Sequence, residues 1–212
     1  MKLYDFPAAP SPRKVLLFMA EKRIDIPRVI VDLRSGAQHE PDFLARNPSG
    51  TVPVLELDDG TCLTESLAIC QYLEALHPEP NLFGEDALER AQISMWNDIA
   101  TLEGYTAIQE ALRNGAAAFA GRAMPGVLSC PQIPALVERG ERRAKAFFDR
   151  VDRRLRDSEY VACARYTYAD IALYVYATFA ERVFKRSPAD GRPALQRWMH
   201  AVEKRPAVRA IG

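Results

Sequence analysis

Residues 52–64, VPVLELDDGTCLT, limit the possible folds more than any other stretch of the chain. Val52, Val54, Leu55 and Leu57 read as a strand, and Asp58-Asp59-Gly60 has the chemistry of a tight hairpin turn, returning through Cys62-Leu63. Such a hairpin must join whatever sheet precedes it, and the preceding residues alternate strand with helix. Lys2–Tyr4 is a short apolar start, Arg13–Lys22 carries Val15, Leu16, Phe18 and Met19 at helical spacing, and Arg28–Asp32 is strand-like. Asp42–Ala45 suggests one helical turn, and Ser66–Leu76 a helix that stops before Pro78. The order βαβ, a connection, then ββα predicts a small mixed sheet with helices packed on it.

Beyond Pro78-Glu79-Pro80-Asn81 the texture changes to helix almost throughout. Ala87–Leu112 is one long periodic segment, 116–132 is a Gly/Ala/Pro-rich loop, and Ile133–Leu155 is a helix with a charged outer face. Thr167–Ala180 is nearly all apolar and predicts a buried central helix, and Pro193–Val202 closes the bundle. The reading is therefore an α/β domain over 1–78 and an all-helical domain over 86–212. Lys+Arg and Asp+Glu are both 28, which removes the electrostatic case for nucleic acid or an anionic membrane as partner. No apolar run approaches the ~20 residues of a membrane span. The start, Met1–Asp5, lacks the long apolar stretch of a secretory signal, so a cytoplasmic location is expected. Cys62, Cys70, Cys130 and Cys163, like His39, His77 and His200, are scattered; reduced thiols and no metal site are expected.

Three places carry candidate chemistry. Pro53 removes a backbone donor at a strand start, which suits either an edge position or a cis bond. In the cis case Val52 would offer its main-chain N–H and C=O to an extended peptide. Glu65-Ser66 interrupts an apolar run at a helix start, with Thr64 expected as the N-cap. The pair reads either as an ordinary first turn or as a receptor for a zwitterionic amino-acid head, Ser66 among free N–H groups for the carboxylate and Glu65 for the ammonium. Pro10-Ser11-Pro12 places Ser11 at or near a helix N-cap, where its hydroxyl either caps the helix or meets a thiolate.

In this order the motifs resemble the cytosolic glutathione transferases over nearly the whole chain. The residues that carry the resemblance are Asn47-Pro48-Ser49-Gly50-Thr51-Val52-Pro53-Val54-Leu55, then Leu63–Ile69, and later Tyr166-Thr167-Tyr168-Ala169-Asp170-Ile171-Ala172, where Thr167 and Asp170 make a capping box. The resemblance implies an α/β thioredoxin-like N-terminal domain, an all-α C-terminal domain and a homodimer. It implies glutathione as co-substrate, with Pro53 cis, Val52 paired through its backbone to the cysteinyl part, and Glu65 and Ser66 on the γ-glutamyl amine and carboxylate. Gln38 and His39 lie where relatives contact the glycyl carboxylate.

The pattern departs at the thiol. The activating serine of theta- and phi-like members falls on Ala9, and Tyr4 lies near the position used by tyrosine-type members without their surrounding pattern. The 48–61 block looks like an atypical fungal and bacterial subgroup thought to use a bound water and polar groups of the helical domain; Gln109, Arg113 and Asn114 occupy that stretch here. Ser11 is the candidate thiolate contact, and Tyr105, Gln109, Arg113 and Phe119 are candidates for the second-substrate pocket. The implied function is conjugation of the glutathione thiolate to a small apolar electrophile, in a detoxifying role. The alternatives are glutathione-dependent peroxidase or reductase chemistry and a non-catalytic binding protein. No cysteine stands at 9–12, which argues against a mixed-disulfide route.

Overall fold

The computed structural model describes residues 1–211. The chain divides into two compact units, Met1–Pro80 with Pro125–Leu128 and Ile211, and Asn81–Met124 with Ser129–Ala210. The first is a four-stranded mixed sheet with helices and the second is built of helices joined by loops, the thioredoxin-like and all-α architecture that the resemblance implies.

In the first unit β1 (Lys2–Asp5), α1 (Pro10–Lys22), β2 (Arg28–Ile30), α2 (Pro41–Leu44), β3 (Val54–Glu56), β4 (Cys62–Thr64) and α3 (Ser66–Leu76) follow in order. The sheet order is β2-β1-β3-β4, with β1 parallel to β2 and antiparallel to β3, and β3 antiparallel to β4. Strand alternation sends Tyr4 and Val54 to one face, where they pack with Val31 and with Phe43 of α2. Leu3 and Leu55, partners across β1 and β3, point the other way and are fully buried, as are Leu17, Phe18, Ile69 and Leu73 of the mutually packed α1 and α3. Lys22 ties the two helices together. Its buried ammonium pairs with Glu74 at 2.7 Å and donates to the carbonyls of His77 (2.6 Å) and Pro80 (2.8 Å). A buried cation satisfied by three oxygens fixes the end of this unit.

The second unit comprises α4 (Ala87–Ile99), α5 (Thr106–Gly115), α6 (Ala135–Arg156), α7 (Tyr168–Phe184), α8 (Pro193–Glu203) and α9 (Pro206–Ala210). The sequence predicts one helix over 87–112; instead a π-helical stretch, Ala100–Tyr105, separates α4 from α5. A π turn is an i→i+5 bulge inside an otherwise regular helix, and helical spacing predicts the helix without marking the bulge. Two glycines let helices approach closely. A Cβ on Gly140 of α6 would lie 2.6 Å from the Ala107 carbonyl oxygen of α5, and one on Gly104 would lie 2.5 Å from the Phe147 ring.

Asp170 closes the predicted capping box of α7. Its carboxylate accepts from the Thr167 N–H (3.0 Å), the Thr167 hydroxyl (3.2 Å), the Val161 N–H (3.0 Å) and Trp198 Nε1 (3.0 Å). Burial pushes its pKa up to about 6, against the pull of those donors. Asp152 of α6 likewise accepts from the Ala194 and Leu195 N–H groups at the start of α8. The four cysteines are free, and no helix among the described residues is long and apolar enough to cross a membrane.

Candidate functional site

Strand register brings the N-terminal candidates to one end of the sheet. Because Val54 pairs with Thr64, the segments Val52-Pro53 and Glu65-Ser66 flank the same end of the β3–β4 hairpin. Because Tyr4 pairs with Val54 in antiparallel sense, the chain leaving β1 toward α1 emerges at that end too, as does the chain leaving β2, which is parallel to β1. Ser11, Gln38, His39, Val52, Pro53, Glu65 and Ser66 are thus gathered from four strand ends, together with the N-termini of α1 and α3.

The Val52–Pro53 bond is cis and Pro53 is buried. The loop before it is held by Asn47, itself buried. Its Nδ2 donates to the Thr51 carbonyl (2.8 Å) and hydroxyl (3.0 Å), and its Oδ1 accepts from the Ser49 N–H (3.1 Å). Gly50, at φ +61, sits where a Cβ would come within 3.0 Å of Val127, 3.2 Å of His39 Nδ1 and 3.3 Å of the Gln38 carbonyl oxygen. The tip Pro125–Leu128 of the long loop therefore packs with the first unit, beside Gln38 and His39. Gln38 is buried, and its side-chain oxygen has no hydrogen-bond partner. His39 is exposed.

One cap assignment needs correction and another is narrowed. Thr64 does not cap α3; it is the last residue of β4, committed to pairing with Val54, and Glu65 holds the N-cap position. Glu65 does so at φ +63, ψ 120, a conformation costly for a residue with a Cβ, and its side chain caps nothing. Ser66, the first helical residue, is buried, and its hydroxyl bonds to no other described residue. Ser11 is not at the N-cap of α1 either. Ala9 is, because Pro10 fits the first helical position with its fixed φ, which leaves Ser11 one place further in. Pro10 and Pro12 have no N–H, the Ala9 N–H is bonded to Phe6 and the Arg13 N–H to Ala9. In this first turn Ser11 alone retains an uncommitted main-chain donor, alongside a half-buried hydroxyl.

Tyr4 is occupied elsewhere. Its hydroxyl donates to Glu56 Oε2 at 2.8 Å, Arg46 reaches the same oxygen at 2.8 Å, and the Arg46 guanidinium lies 4.9 Å from the Tyr4 ring centre. Burial, then the bond to Glu56, push the phenol pKa up. The phenol is thus engaged with Glu56 and Arg46 on the α2 side of the sheet.

In the helical unit Tyr105, Gln109 and Arg113 fall on successive turns of one helix face. The Tyr105 ring stacks on Tyr176 (4.7 Å, 12° between planes), with Phe179 6.1 Å away, and its hydroxyl accepts from Gln109 Nε2 at 2.7 Å. The Arg113 guanidinium lies 4.8 Å from the Phe119 ring centre. Asn114 is committed to structure: its Nδ2 donates to the Glu110 carbonyl and its Oδ1 accepts from the Ile133 N–H, both at 2.8 Å.

Family models describing the glutathione S-transferase N-terminal and C-terminal domains match residues 3–81 and 134–201. Glutathione S-transferase 2 of Saccharomyces cerevisiae is 36% identical over 219 residues, covering all of this chain and 89% of the yeast protein. The chain belongs to the glutathione S-transferase family. Two solved structures agree. Gtt2 from Saccharomyces cerevisiae superposes with a TM-score of 0.91 at 33% identity over all of both chains. A class Gtt2 glutathione S-transferase of Vibrio parahaemolyticus gives 0.85 at 32% identity, covering all of this chain and 97% of the other.

Within this glutathione S-transferase fold, sequence reasoning missed Asn47 as the residue that shapes the loop into Pro53, although Asn-Pro-Ser-Gly is a turn signature. It also missed the strain at Glu65. No periodicity signals a positive φ on a glutamate.

Proposed function

We propose that the protein is a glutathione transferase that conjugates the glutathione thiolate to a small electrophile with an apolar body. The observation that carries this reading is the gathering, at one sheet end, of the cis Val52–Pro53 bond, the unbonded Ser66 hydroxyl, the strained Glu65 and the uncommitted N–H of Ser11. The main chain of Val52 pairs with the cysteinyl part of glutathione. Glu65 takes its ammonium, Ser66 and the start of α3 take its carboxylate, and Gln38 with His39 lie toward the glycyl end. Ser11 then meets the sulfur from the N-terminus of α1, where hydroxyl, N–H and helix dipole all favour the thiolate over the thiol. Each unit by which they lower the thiol pKa corresponds to about 1.4 kcal/mol of differential stabilisation. The thiolate attacks the electrophilic carbon, and Tyr105, Gln109, Arg113 and Phe119 receive the rest of that substrate.

The protein works as a cytoplasmic homodimer in this reading. Leu88, Met95 and Leu102 are exposed and recur every seventh residue along α4 and the π turn, an apolar stripe that a second copy would cover. Sedimentation that yields only the single-chain mass at micromolar concentration would exclude the dimer.

The central test is Ser66→Ala. Loss of a hydrogen bond to a charged group, about 1.5–3 kcal/mol, weakens glutathione binding in calorimetry by roughly 10- to 100-fold. The protein's melting temperature should hardly move, since the hydroxyl has no protein partner to lose. Wild-type protein that neither binds glutathione nor conjugates it to a chlorodinitrobenzene would defeat the proposal. Ser11→Ala should raise the pH at which conjugation reaches half its maximum while leaving glutathione affinity nearly intact.

A further inference from the structure

Most cations of the helical unit that approach its core meet an acid. Arg139 and Arg143 share Glu110, Arg150 pairs with Glu103, Arg165 with Glu89 and Arg192 with Asp149. Arg113 is half-buried and meets none among the described residues. Its Nη1 donates to the carbonyls of Arg122 (2.9 Å) and Met124 (3.2 Å), and its guanidinium lies against Phe119. Arg122 lies 6.0 Å from the centre of the same ring, so two guanidinium groups of like charge lie near one aromatic ring. Burial pushes the Arg113 pKa down, against the opposing charge interaction with Tyr105 and with Arg122 adding to the fall. Its Nε and Nη2 donate to no described residue.

This arrangement is specific in its geometry. The Nε/Nη2 edge of a guanidinium is one that takes a carboxylate in two parallel hydrogen bonds. Here that edge makes no hydrogen bond to the described residues, while Nη1 is clamped by two carbonyls that fix the plane of the group, which lowers the ordering cost of binding. An incompletely neutralised, partly desolvated cation gains most from an anion placed against it. The same helix face continues through Gln109 to the Tyr105 ring, stacked on Tyr176. A flat apolar surface thus leads, turn by turn, to a guanidinium fork.

We propose that Arg113 selects the second substrate: an aromatic electrophile that carries a carboxylate, the acid group held in two hydrogen bonds by Nε and Nη2 of Arg113. The proposal rests on the transferase reading above and narrows it from an apolar electrophile to an acid-bearing one. With 4-chloro-3-nitrobenzoate as probe, the thiolate sulfur forms a bond to the chlorine-bearing ring carbon. The carbon–chlorine bond then breaks, chloride leaves with the electron pair, and the thiol proton passes to water. The carboxylate takes no part in bonding changes and serves as the handle.

The experiment compares 4-chloro-3-nitrobenzoate with its neutral analogue 4-chloro-3-nitrobenzamide. The readout is the ratio of their kcat/KM values, each divided by its uncatalysed rate with glutathione. Wild-type enzyme should favour the benzoate, chiefly through KM. Arg113→Gln should lower the ratio by roughly 10- to 100-fold, the loss expected for a charge-assisted bidentate pair, and Arg113→Lys should restore part of it. If Arg113 only tethers the loop through the Arg122 and Met124 carbonyls, Arg113→Gln will depress both substrates alike and leave the ratio unchanged, which overturns the proposal. Equal turnover of the two by wild-type enzyme overturns it as well, while leaving the transferase reading intact. If neither compound is conjugated, the chlorodinitrobenzene assay decides the transferase reading separately, and calorimetry with the benzoate alone decides the anion site. Binding that Arg113→Gln abolishes supports the anion site; no binding, or binding indifferent to the substitution, rejects it.

Discussion

The two units build their candidate sites by opposite means. In the thioredoxin-like unit the candidates come from four strand ends and two helix starts, and strand register alone makes them neighbours. In the helical unit Tyr105, Gln109 and Arg113 come from one continuous helical segment, aligned by its period. The first site is tertiary and depends on the sheet; the second is nearly local. A change in the sheet core should therefore reach the glutathione side, whereas a comparable change in the helical core should cost only stability.

A pair of core truncations can break that comparison. Leu55 lies in β3 and Leu155 in α6, and both are fully buried. Either Leu→Ala change should cost about 2–5 kcal/mol in denaturant unfolding. Leu55→Ala should also weaken glutathione binding, measured on the folded fraction, because β3 carries Pro53 to its position. Leu155→Ala should leave that affinity within about twofold of wild type, since every residue of the sheet-end site belongs to the first unit. Equal losses of affinity would show that the helical core shapes the sheet end after all.

Asp170 offers the next largest effect, and it belongs to the helical unit alone. Its pKa is raised from 3.8 to about 6 on folding, so the native state holds its proton more tightly than the unfolded chain. The corresponding stabilisation is complete below the unfolded value and is lost as pH rises through about 6. That amounts to about 3 kcal/mol across the window. Unfolding free energy of the wild type, taken relative to Asp170→Asn at each pH, should fall between those two values and flatten above. A rising difference would mean that the four donors outweigh burial and hold the carboxyl below its ordinary range.

Legibility from sequence follows the same division. The hairpin at Asp58-Asp59-Gly60, α3 at Ser66–Leu76 and the capping box at Thr167 and Asp170 could be read because turn chemistry, apolar spacing and caps are local signals. The π turn at Ala100–Tyr105 was not legible, since helical spacing marks the helix and not a local i→i+5 bulge within it. The short α9 was also missed; five residues are too few to show a period. At the sheet end, residue identity was legible and position was not. Thr64 looks like a cap by composition, but pairing with Val54 draws it into β4 and moves the helix boundary to Glu65. Ser11 looks like a cap as well, but Pro10 claims the first helical position and pushes it inward. In both cases a tertiary or steric constraint displaced a local preference by a residue or two, enough to change which groups stay free.

The smallest effect sharpens the contrast most, because stability and binding should move in opposite directions at one residue. Glu65 holds φ +63, ψ 120 between β4 and α3, with no hydrogen bond from its side chain to offset the strain. Conformations of this kind cost about 1–3 kcal/mol for residues bearing a Cβ. Glycine has none, so Glu65→Gly should recover part of that cost, reduced by its larger backbone entropy in the unfolded chain. The net gain should be at most about 1 kcal/mol in unfolding free energy. Glutathione affinity should fall at the same time, through loss of the carboxylate offered to the ammonium. Glu65→Gln separates the two contributions, as it keeps the strain and removes the charge: stability should stay near wild type while affinity still falls. If Glu65→Gly is instead less stable than wild type and binds glutathione unchanged, Glu65 is a structural hinge at the sheet end, and the ammonium must be held by another acid.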